Sequence, residues 1–189
     1  MLMTAKRTPD SLSEIDVVHQ IHDDLELPDG FRAEIIEGQI AVAASPFAQH
    51  AYIVWHLKEM AQKALPPGYG LFEVTTAQEP GGDRYIPDLV AWPIGLIKGR
   101  GKDWVLSTTE CEFVVEVTSP DQGKRDYKKA SGYARAAVET YLLVDQSRRV
   151  CVVFTDPENG EYQTLREVPF GEPLELTLHT TVIIDTSDF

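Results

Sequence analysis

The chain has 189 residues, of which 43% are apolar and 25% charged, a composition typical of one compact domain and unlike that of disordered or fibrous proteins. Its net charge of -13 argues against a broad phosphate-binding surface, because proteins that bind nucleic acid usually carry a basic patch. No apolar run approaches the ~20 residues of a membrane span, and the amino terminus lacks the apolar stretch of a signal peptide. We therefore expect a cytoplasmic protein.

The amino-terminal stretch predicts a strongly acidic, amphipathic helix over residues 11–25, because its apolar residues recur at helical spacing. Ser11 and Glu14 match the capping-box pattern at its start. His19 and His22 lie three residues apart, but no third metal ligand is in view, so we favour a solvated helix face over a metal pair. The helix could alternatively be a self-association surface of a structural protein.

The next stretch predicts a β-hairpin over residues 31–44 with its turn at 37–38, followed by a helix over residues 48–65. His50 precedes the apolar Val54 by four residues and therefore shares the inward face of that helix. An inward histidine is more often a satisfied core residue than a catalyst.

The remaining elements are short strands and turns. A strand is predicted over residues 70–75, and the three glycines within residues 93–109 predict an irregular loop. Residues 140–145 and 149–155 predict a second hairpin. Residues 162–184 predict edge strands and turns.

Two carboxylates stand in predicted strands where hydrocarbon is expected. Asp88 lies between Pro87 and an apolar run, and Glu116 lies between Val115 and Val117. A buried carboxylate loses its hydration unless a cation takes the place of water. Two carboxylates that converge at a sheet form an oxygen-rich site suited to Mg²⁺ or Mn²⁺, ions that act on phosphate esters by activating a bound water.

Phosphoryl chemistry also benefits from a lysine that orients the water or stabilises developing charge. Strand alternation places Thr118 on the face of Glu116, so the strand does not supply this lysine. The helix predicted next holds five basic residues against two acidic ones. Helical geometry places Asp126, Lys129 and Tyr133 along one edge of its apolar stripe, so Lys129 is the lysine best placed to lean toward the sheet.

Lys124 lies near the other edge of this helix and Arg125 faces mostly outward, which makes both candidates for contacts with phosphates. Each feature also has a plainer explanation. Asp88 could cap a strand, Glu116 could belong to a structural ion pair, and the basic run could be a solvated helix face. The three features together favour a functional site.

An ordered set of motifs resembles the Uma2 family, within the PD-(D/E)XK nuclease superfamily. The resemblance covers approximately residues 31–154. The motifs are A-E-I-I-E-G-Q-I from Ala33, Ser45-Pro46, His50, Pro87-Asp88, E-V-T-S-P from Glu116, Lys129 with Tyr133, and E-T-Y-L-L-V-D from Glu139.

The resemblance implies an α+β fold, namely an α/β-type mixed sheet flanked by helices around a restriction-endonuclease-like PD-(D/E)XK core. Residues 1–30 would form an amino-terminal tail and acidic helix packed on the core, and residues 31–189 a single nuclease-like domain.

The resemblance also implies site roles. Asp88 and Glu116 would be metal ligands, and Lys129 a catalytic lysine moved from strand to helix. Glu34 matches an acidic position of the family's amino-terminal motif and would complete the site. His50, Asp126 and Tyr133 would support these residues.

Two departures from the pattern stand out. Thr118 replaces the usual lysine of the superfamily, as is common in this family, and Asp126 precedes Lys129 by only three residues, a shorter gap than in many relatives. Which lysine serves the site is therefore open.

These features predict a Mg²⁺-dependent phosphodiester hydrolase, a DNA endonuclease. The alternative is a nuclease-fold module that binds nucleic acid or a protein partner without cutting, which the acidic composition and Thr118 favour. A homodimer would suit cleavage of both strands, because a two-fold symmetric duplex matches a two-fold symmetric protein.

Overall fold

The computed structural model describes residues 12–119 and 123–189. The helices are α1 Glu14–Asp23, α2 Ala48–Ala61, α3 Ile94–Lys98 and α4 Gly123–Arg135, with short 3-10 turns at Gln62–Ala64 and Thr108–Glu110. The strands are β1 Phe31–Ile36, β2 Gln39–Ala44, β3 Tyr69–Phe72, β4 Thr76–Gln78, β5 Arg84–Tyr85, β6 Leu89–Pro93, β7 Val105–Ser107, β8 Phe113–Val117, β9 Thr140–Asp145, β10 Val150–Glu158, β11 Glu161–Pro169, β12 Leu174–Thr177 and β13 Thr181–Ile184. None of the helices in the described ranges is long and apolar enough to cross a membrane.

A six-stranded sheet in the order β11-β10-β9-β8-β6-β3 forms the centre of the fold. Its strands pair antiparallel except for β8 and β9, which run parallel and are connected through α4. A five-stranded sheet in the order β2-β1-β5-β4-β7 and the β12–β13 hairpin complete the structure. The predicted α+β class with a mixed sheet and flanking helices is confirmed.

Alternate residues of the central strands enter two separate cores, as expected for a sheet covered on both faces. Val115 and Leu142 belong to the core beneath α2 and the β12–β13 hairpin. Val114 and Leu143 belong to the core that also contains Tyr133 of α4 and residues of the five-stranded sheet. Because Glu116 follows Val114 by two residues, it points toward α4 and the five-stranded sheet.

Several predicted elements are confirmed with adjusted ends. The β1–β2 hairpin pairs Phe31 with Ala44 through Ile36 with Gln39. Helix α2 begins at Ala48 as predicted but ends at Ala61, followed by a 3-10 turn. The β9–β10 hairpin is also present.

The predicted irregular loop over residues 93–109 is wrong in part, because it contains α3, β7 and a 3-10 turn. Strand β7 forms because its backbone pairs in parallel with β4, a partner distant in sequence. The strand predicted over residues 70–75 ends at Phe72, and Val74 adopts a positive φ of 56° that a strand cannot continue through.

The first helix differs from its prediction in two respects. Its capping box is formed by Ser13 and Asp16, whose side chains and backbone amides exchange hydrogen bonds, while Ser11 lies outside the described residues. His19 and His22 are half-buried rather than solvated. His19 Nε2 lies 2.6 Å from the Gly82 carbonyl oxygen, and this contact docks the helix onto the five-stranded sheet. The sequence Ser119-Pro120-Asp121 also predicts a turn after β8, of which Pro120 and Asp121 lie outside the described residues.

Candidate active site

The central sheet brings Asp88 and Glu116 together. Leu89 pairs with Val115 in the antiparallel ladder of β6 and β8, so Asp88 and Glu116 come next and lie opposite each other. Asp88 Oδ2 accepts a hydrogen bond of 2.8 Å from the Val117 amide across the two chain segments. Both carboxylates are buried, with Asp88 7% and Glu116 1% exposed.

Helix α4 carries Lys129 into this buried site. Lys129 Nζ lies 2.8 Å from Glu34 Oε1, 2.9 Å from Glu116 Oε1 and 3.3 Å from Asp126 Oδ1. An ammonium has three N–H donors, so these three carboxylates match its full donor capacity. Asp126, Lys129 and Tyr133, predicted along the edge of the apolar stripe, are all buried, and Lys129 leans toward the sheet as predicted.

Neighbouring groups fix the two glutamates that hold the ammonium. The Tyr133 hydroxyl donates to Glu116 Oε1 at 2.8 Å. The Ile86 amide donates to Glu34 Oε1 at 2.7 Å. The ring of Tyr85 lies with its centroid 5.8 Å from Lys129 Nζ, close enough for a cation–π contact. The position of the ammonium is therefore set from both sheets and from α4.

The charges of this cluster shift its pKa values. Burial raises the pKa of Glu116 well above its ordinary value, and the neighbouring carboxylates add to this rise while Lys129 opposes it. Burial likewise raises the pKa of Asp126. Burial alone would favour neutral Lys129, but the surrounding carboxylates raise its pKa well above the ordinary value. Lys129 is therefore a cation at neutral pH.

Asp88 has a different set of partners. Its Oδ2 is 3.0 Å from His50 Nε2, and its Oδ1 is 3.7 Å from Arg32 Nη2. Burial favours the neutral acid, yet the hydrogen bond and charge of His50, the charge of Arg32 and the Val117 amide together lower the pKa of Asp88. Since Asp88 is ionised, His50 Nε2 carries the proton of their hydrogen bond.

A cavity of about 570 Å³ reaches Asp88 from the surface. Arg32 and His50 line it together with Asp88, and Phe31 and Trp55 contribute aromatic surface. Arg32 Nε and His50 Nδ1 are buried and have no hydrogen-bond partner among the described residues. The cavity therefore combines the polar side chains of Arg32, His50 and Asp88 with apolar walls, and the charged residues Lys58, Glu59 and Glu73 also line it.

The family of the chain follows from a comparison of its sequence with family profiles. Residues 20–186 match the profile of Uma2, described as "Putative restriction endonuclease". The chain belongs to the Uma2 family. The resemblance predicted from its motifs is confirmed.

A solved structure supports the fold of this Uma2 protein. The crystal structure of "a putative nuclease belonging to DUF820" from Anabaena variabilis superimposes with a TM-score of 0.66 over 89% of each chain, at 17% sequence identity. At this identity the similarity shows the fold alone. A search of curated proteins finds no significant match.

The metal ion predicted from the sequence is consistent with the donor chemistry of the site. Four carboxylates, those of Glu34, Asp88, Glu116 and Asp126, are buried in this region. Among the described residues, Lys129 and Arg32 are the Lys and Arg side chains paired with them, so the carboxylates outnumber these cations. Within the described ranges no group of three or more His, Cys, Asp or Glu residues is arranged to hold a metal ion. Mg²⁺, however, is ordinarily bound by one or two carboxylates with water and substrate phosphate as its other ligands, which fits the pair of Asp88 and Glu116.

The two residues predicted to contact nucleic acid lie beside a different cavity. Lys124 and Arg125 line a shallow depression of about 240 Å³ along the β1–β2 hairpin, together with Lys128. Arg125 Nη2 donates to the Val42 carbonyl oxygen at 3.4 Å. Lys128 pairs with Glu37 at 2.5 Å. Contact of Lys124 and Arg125 with phosphates stays a prediction.

Arg32, which contacts Asp88, is a residue of this site that the sequence patterns did not predict. It precedes Glu34 by two residues, so strand alternation places both on one face of β1. Once Glu34 is assigned to the site, the two-residue spacing identifies Arg32 as its neighbour on the same face.

Thr118 follows the last residue of β8, and its oxygens accept hydrogen bonds from Gln146. Thr118 therefore has a structural role at the end of the central sheet.

Proposed function

We propose that this Uma2 protein is a metal-dependent phosphodiester hydrolase that acts on DNA. The observation that carries the proposal is the buried Asp88–Glu116 pair with the Lys129 ammonium 2.9 Å from Glu116. If these residues served only the stability of the fold, apolar residues of similar volume would often serve as well or better. The presence of charged residues at these positions therefore points to a function. Membership of a family described as a restriction endonuclease supports the same chemistry.

In this proposal Asp88 and Glu116 hold Mg²⁺ or Mn²⁺. A bound ion of this kind polarises a phosphodiester oxygen and lowers the pKa of a coordinated water. His50 holds Asp88 in its ionised form and orientation through their 3.0 Å hydrogen bond. The Tyr133 hydroxyl fixes the orientation of Glu116 through its hydrogen bond to Oε1.

Lys129 supplies the positive charge that the site needs beside the reacting phosphate. Because carboxylates engage its three donors, the ammonium acts through its charge, which stabilises negative charge that develops on phosphate oxygens in the transition state. Glu34 and Asp126 hold that ammonium in place at 2.8 and 3.3 Å. Lys124 and Arg125 contact the DNA backbone outside the site.

The test is cleavage of purified supercoiled, linear and single-stranded DNA in the presence of Mg²⁺ or Mn²⁺. Asp88→Ala and Glu116→Ala are expected to reduce cleavage to background. Glu110→Ala is the matched control, because Glu110 is an exposed carboxylate outside the cluster, with half of its side chain accessible. Cleavage that persists equally in both site variants would overturn the proposal.

A second candidate function is binding without cleavage. The observation that favours it is that three carboxylates engage all three N–H donors of Lys129, so none is available for a substrate. Calorimetric titration with Mn²⁺ separates the two candidates. Binding that Asp88→Ala removes supports the hydrolase, whereas no binding in wild type supports a module for nucleic acid or a protein partner.

The hydrolase proposal includes a homodimer where both strands of a duplex are cut. A two-fold axis would bring two copies of the site onto the two strands. Light scattering on the full chain, with and without duplex DNA, measures this assembly.

A further inference from the structure

The cavity beside Asp88 has aromatic side chains at its mouth. Trp55 is 56% exposed and Phe31 49% exposed, and both line the cavity. The Trp55 ring is supported by its neighbours on α2, with centroid distances of 5.9 Å to Tyr52 and 6.3 Å to His56. Large apolar side chains that cluster at the mouth of a cavity mark a site where a ligand or partner binds.

The described residues that line this cavity include two cations, Lys58 and Arg32, and three acids, Glu59, Glu73 and Asp88. Lys58 at the rim already pairs with Glu73 at 2.5 Å. Arg32 Nη2 is 3.7 Å from Asp88, and Arg32 Nε has no acceptor among the described residues. A buried guanidinium N–H without an acceptor is unusual and costs free energy. Phosphate oxygens match the fork of guanidinium donors.

We propose that this cavity binds one unpaired nucleotide of a DNA strand, with its base against Trp55 and Phe31 and its phosphate at Arg32. The inference rests on the proposed function and names its substrate class, which is single-stranded or locally opened DNA. The volume of about 570 Å³ lies within the ~300–1,000 Å³ typical of small-ligand sites.

The depth of Asp88 selects an unpaired nucleotide over a closed duplex. Asp88 is only 7% exposed, and the cavity that reaches it is walled by side chains of α2 and β1. A base held in a stacked pair cannot enter such a cavity, whereas an unstacked base can do so and present its phosphate there. Base–aromatic stacking tolerates any sequence, because every base has a π face.

The charge of the chain leads to the same substrate class. Duplex recognition relies on many phosphate contacts from Lys and Arg, whereas this chain has 17 Lys and Arg against 30 Asp and Glu. A short strand held by stacking and a single guanidinium needs far fewer basic residues. Stacking and the Arg32 contact in the cavity therefore supply affinity for DNA that the acidic surface does not.

The experiment compares binding of a fluorescein-labelled oligothymidylate of about eight nucleotides with binding of a blunt duplex of equal length. Anisotropy is measured on the full chain in EDTA and again with Ca²⁺. We expect the single strand to bind at least about fivefold tighter than the duplex. Trp55→Ala should weaken binding of the single strand at least about fivefold, the lower end of the range for loss of one stacked base. Arg32→Ala, which removes the proposed phosphate contact, should weaken binding by a similar factor.

Trp104→Ala is the matched control, because Trp104 is 52% exposed and stacks on Arg84 outside the residues that line this cavity. Circular dichroism verifies that each variant is folded. The inference is overturned if the duplex binds as tightly as the single strand, or if Trp55→Ala binds like wild type, in both EDTA and Ca²⁺.

The cleavage assay separates failure of this inference from failure of the proposed function. Cleavage that needs Asp88 but is unchanged in Trp55→Ala would retain the hydrolase and remove the nucleotide site. Single-strand binding that needs Trp55, without cleavage in any metal, would retain the nucleotide site and remove the hydrolase.

Discussion

Glu34 and Lys129 are 95 residues apart in the chain, yet their carboxylate and ammonium are 2.8 Å apart. Their side chains are 2% and 1% exposed. The contact joins β1 of the five-stranded sheet to α4, which packs on the six-stranded sheet. Two desolvated charges of this kind are stable only while both partners are present.

Replacement of Lys129 is therefore expected to destabilise the fold as well as the site. Lys129→Met leaves Glu34, Glu116 and Asp126 without their shared cation, and removal of one partner of a buried pair costs about 3–5 kcal/mol. Urea denaturation measures the loss. Lys128→Met is the neighbouring control, because Lys128 and Glu37 are each 54% exposed, and an exposed pair contributes at most about 1 kcal/mol. Equal losses in the two variants would contradict the buried pair.

Gly132 on α4 makes room for Tyr85, the residue whose ring lies over Lys129. A Cβ at position 132 would lie 2.1 Å from the Tyr85 hydroxyl oxygen. We expect Gly132→Ala to destabilise the protein by more than about 1 kcal/mol, although alanine favours helices over glycine by about that amount. The exposed neighbour variant Ser131→Ala should be neutral or slightly stabilising by thermal unfolding. A Gly132→Ala protein more stable than wild type would show that Tyr85 moves freely.

Asp145 at the end of β9 gives an expectation for pH. Burial opposes its ionisation, but hydrogen bonds from Ser147, Arg148 and Tyr127 outweigh it and lower its pKa below the ordinary value of 3.8. Its contribution to stability is therefore present above pH 3.8 and is lost as pH falls through the lower pKa of the folded state. Asp145→Asn should lower the free energy of unfolding by about 1–2 kcal/mol at pH 7.

The difference between Asp145→Asn and wild type should shrink as pH falls below about 4. Urea denaturation at a series of pH values measures it. Asp103→Asn, at an exposed position, should differ little from wild type throughout. A difference that stays constant from pH 7 to the acid limit would show that the ionised form of Asp145 makes no special contribution.

Divalent metal should stabilise the folded protein, because buried carboxylates in this region outnumber Lys129 and Arg32. A metal that binds only the folded state adds about 2.7 kcal/mol at a hundred times its Kd. Thermal unfolding with Mn²⁺ should give a rise in Tm that EDTA reverses. Asp88→Asn should remove that rise, whereas Asp103→Asn should keep it. The same rise in Asp88→Asn would place the metal elsewhere.

Much of this arrangement could be predicted from local patterns. The apolar runs around Asp88 and Glu116 indicated buried strands, and the register of β6 and β8 brings the two acids opposite each other, Asp88 directly before β6 and Glu116 within β8. Helical periodicity grouped Lys129 with Asp126 and Tyr133. Their roles in catalysis stay predictions.

Other features depend on contacts that no local pattern contains. The burial of the polar row on α4 requires Glu34 from β1, and an isolated helix would place such a row toward water. Strand β7 exists because β4 pairs with it in parallel. Arg32 stands out only in the structure, where it lies beside the cavity and its Nε has no acceptor among the described residues.

The Lys129 contacts with Glu34 and Glu116 also have an evolutionary consequence. Because loss of any one partner leaves a buried charge uncompensated, selection for folding would oppose single substitutions of these three residues whether or not the protein is an enzyme. Asp88 contacts α2 and the end of β8, and its link to β1 is the longer ion pair of 3.7 Å with Arg32. If the proposed hydrolase function is correct, a Uma2 relative that lacks Asp88 but keeps the other three residues is expected to have lost cleavage activity.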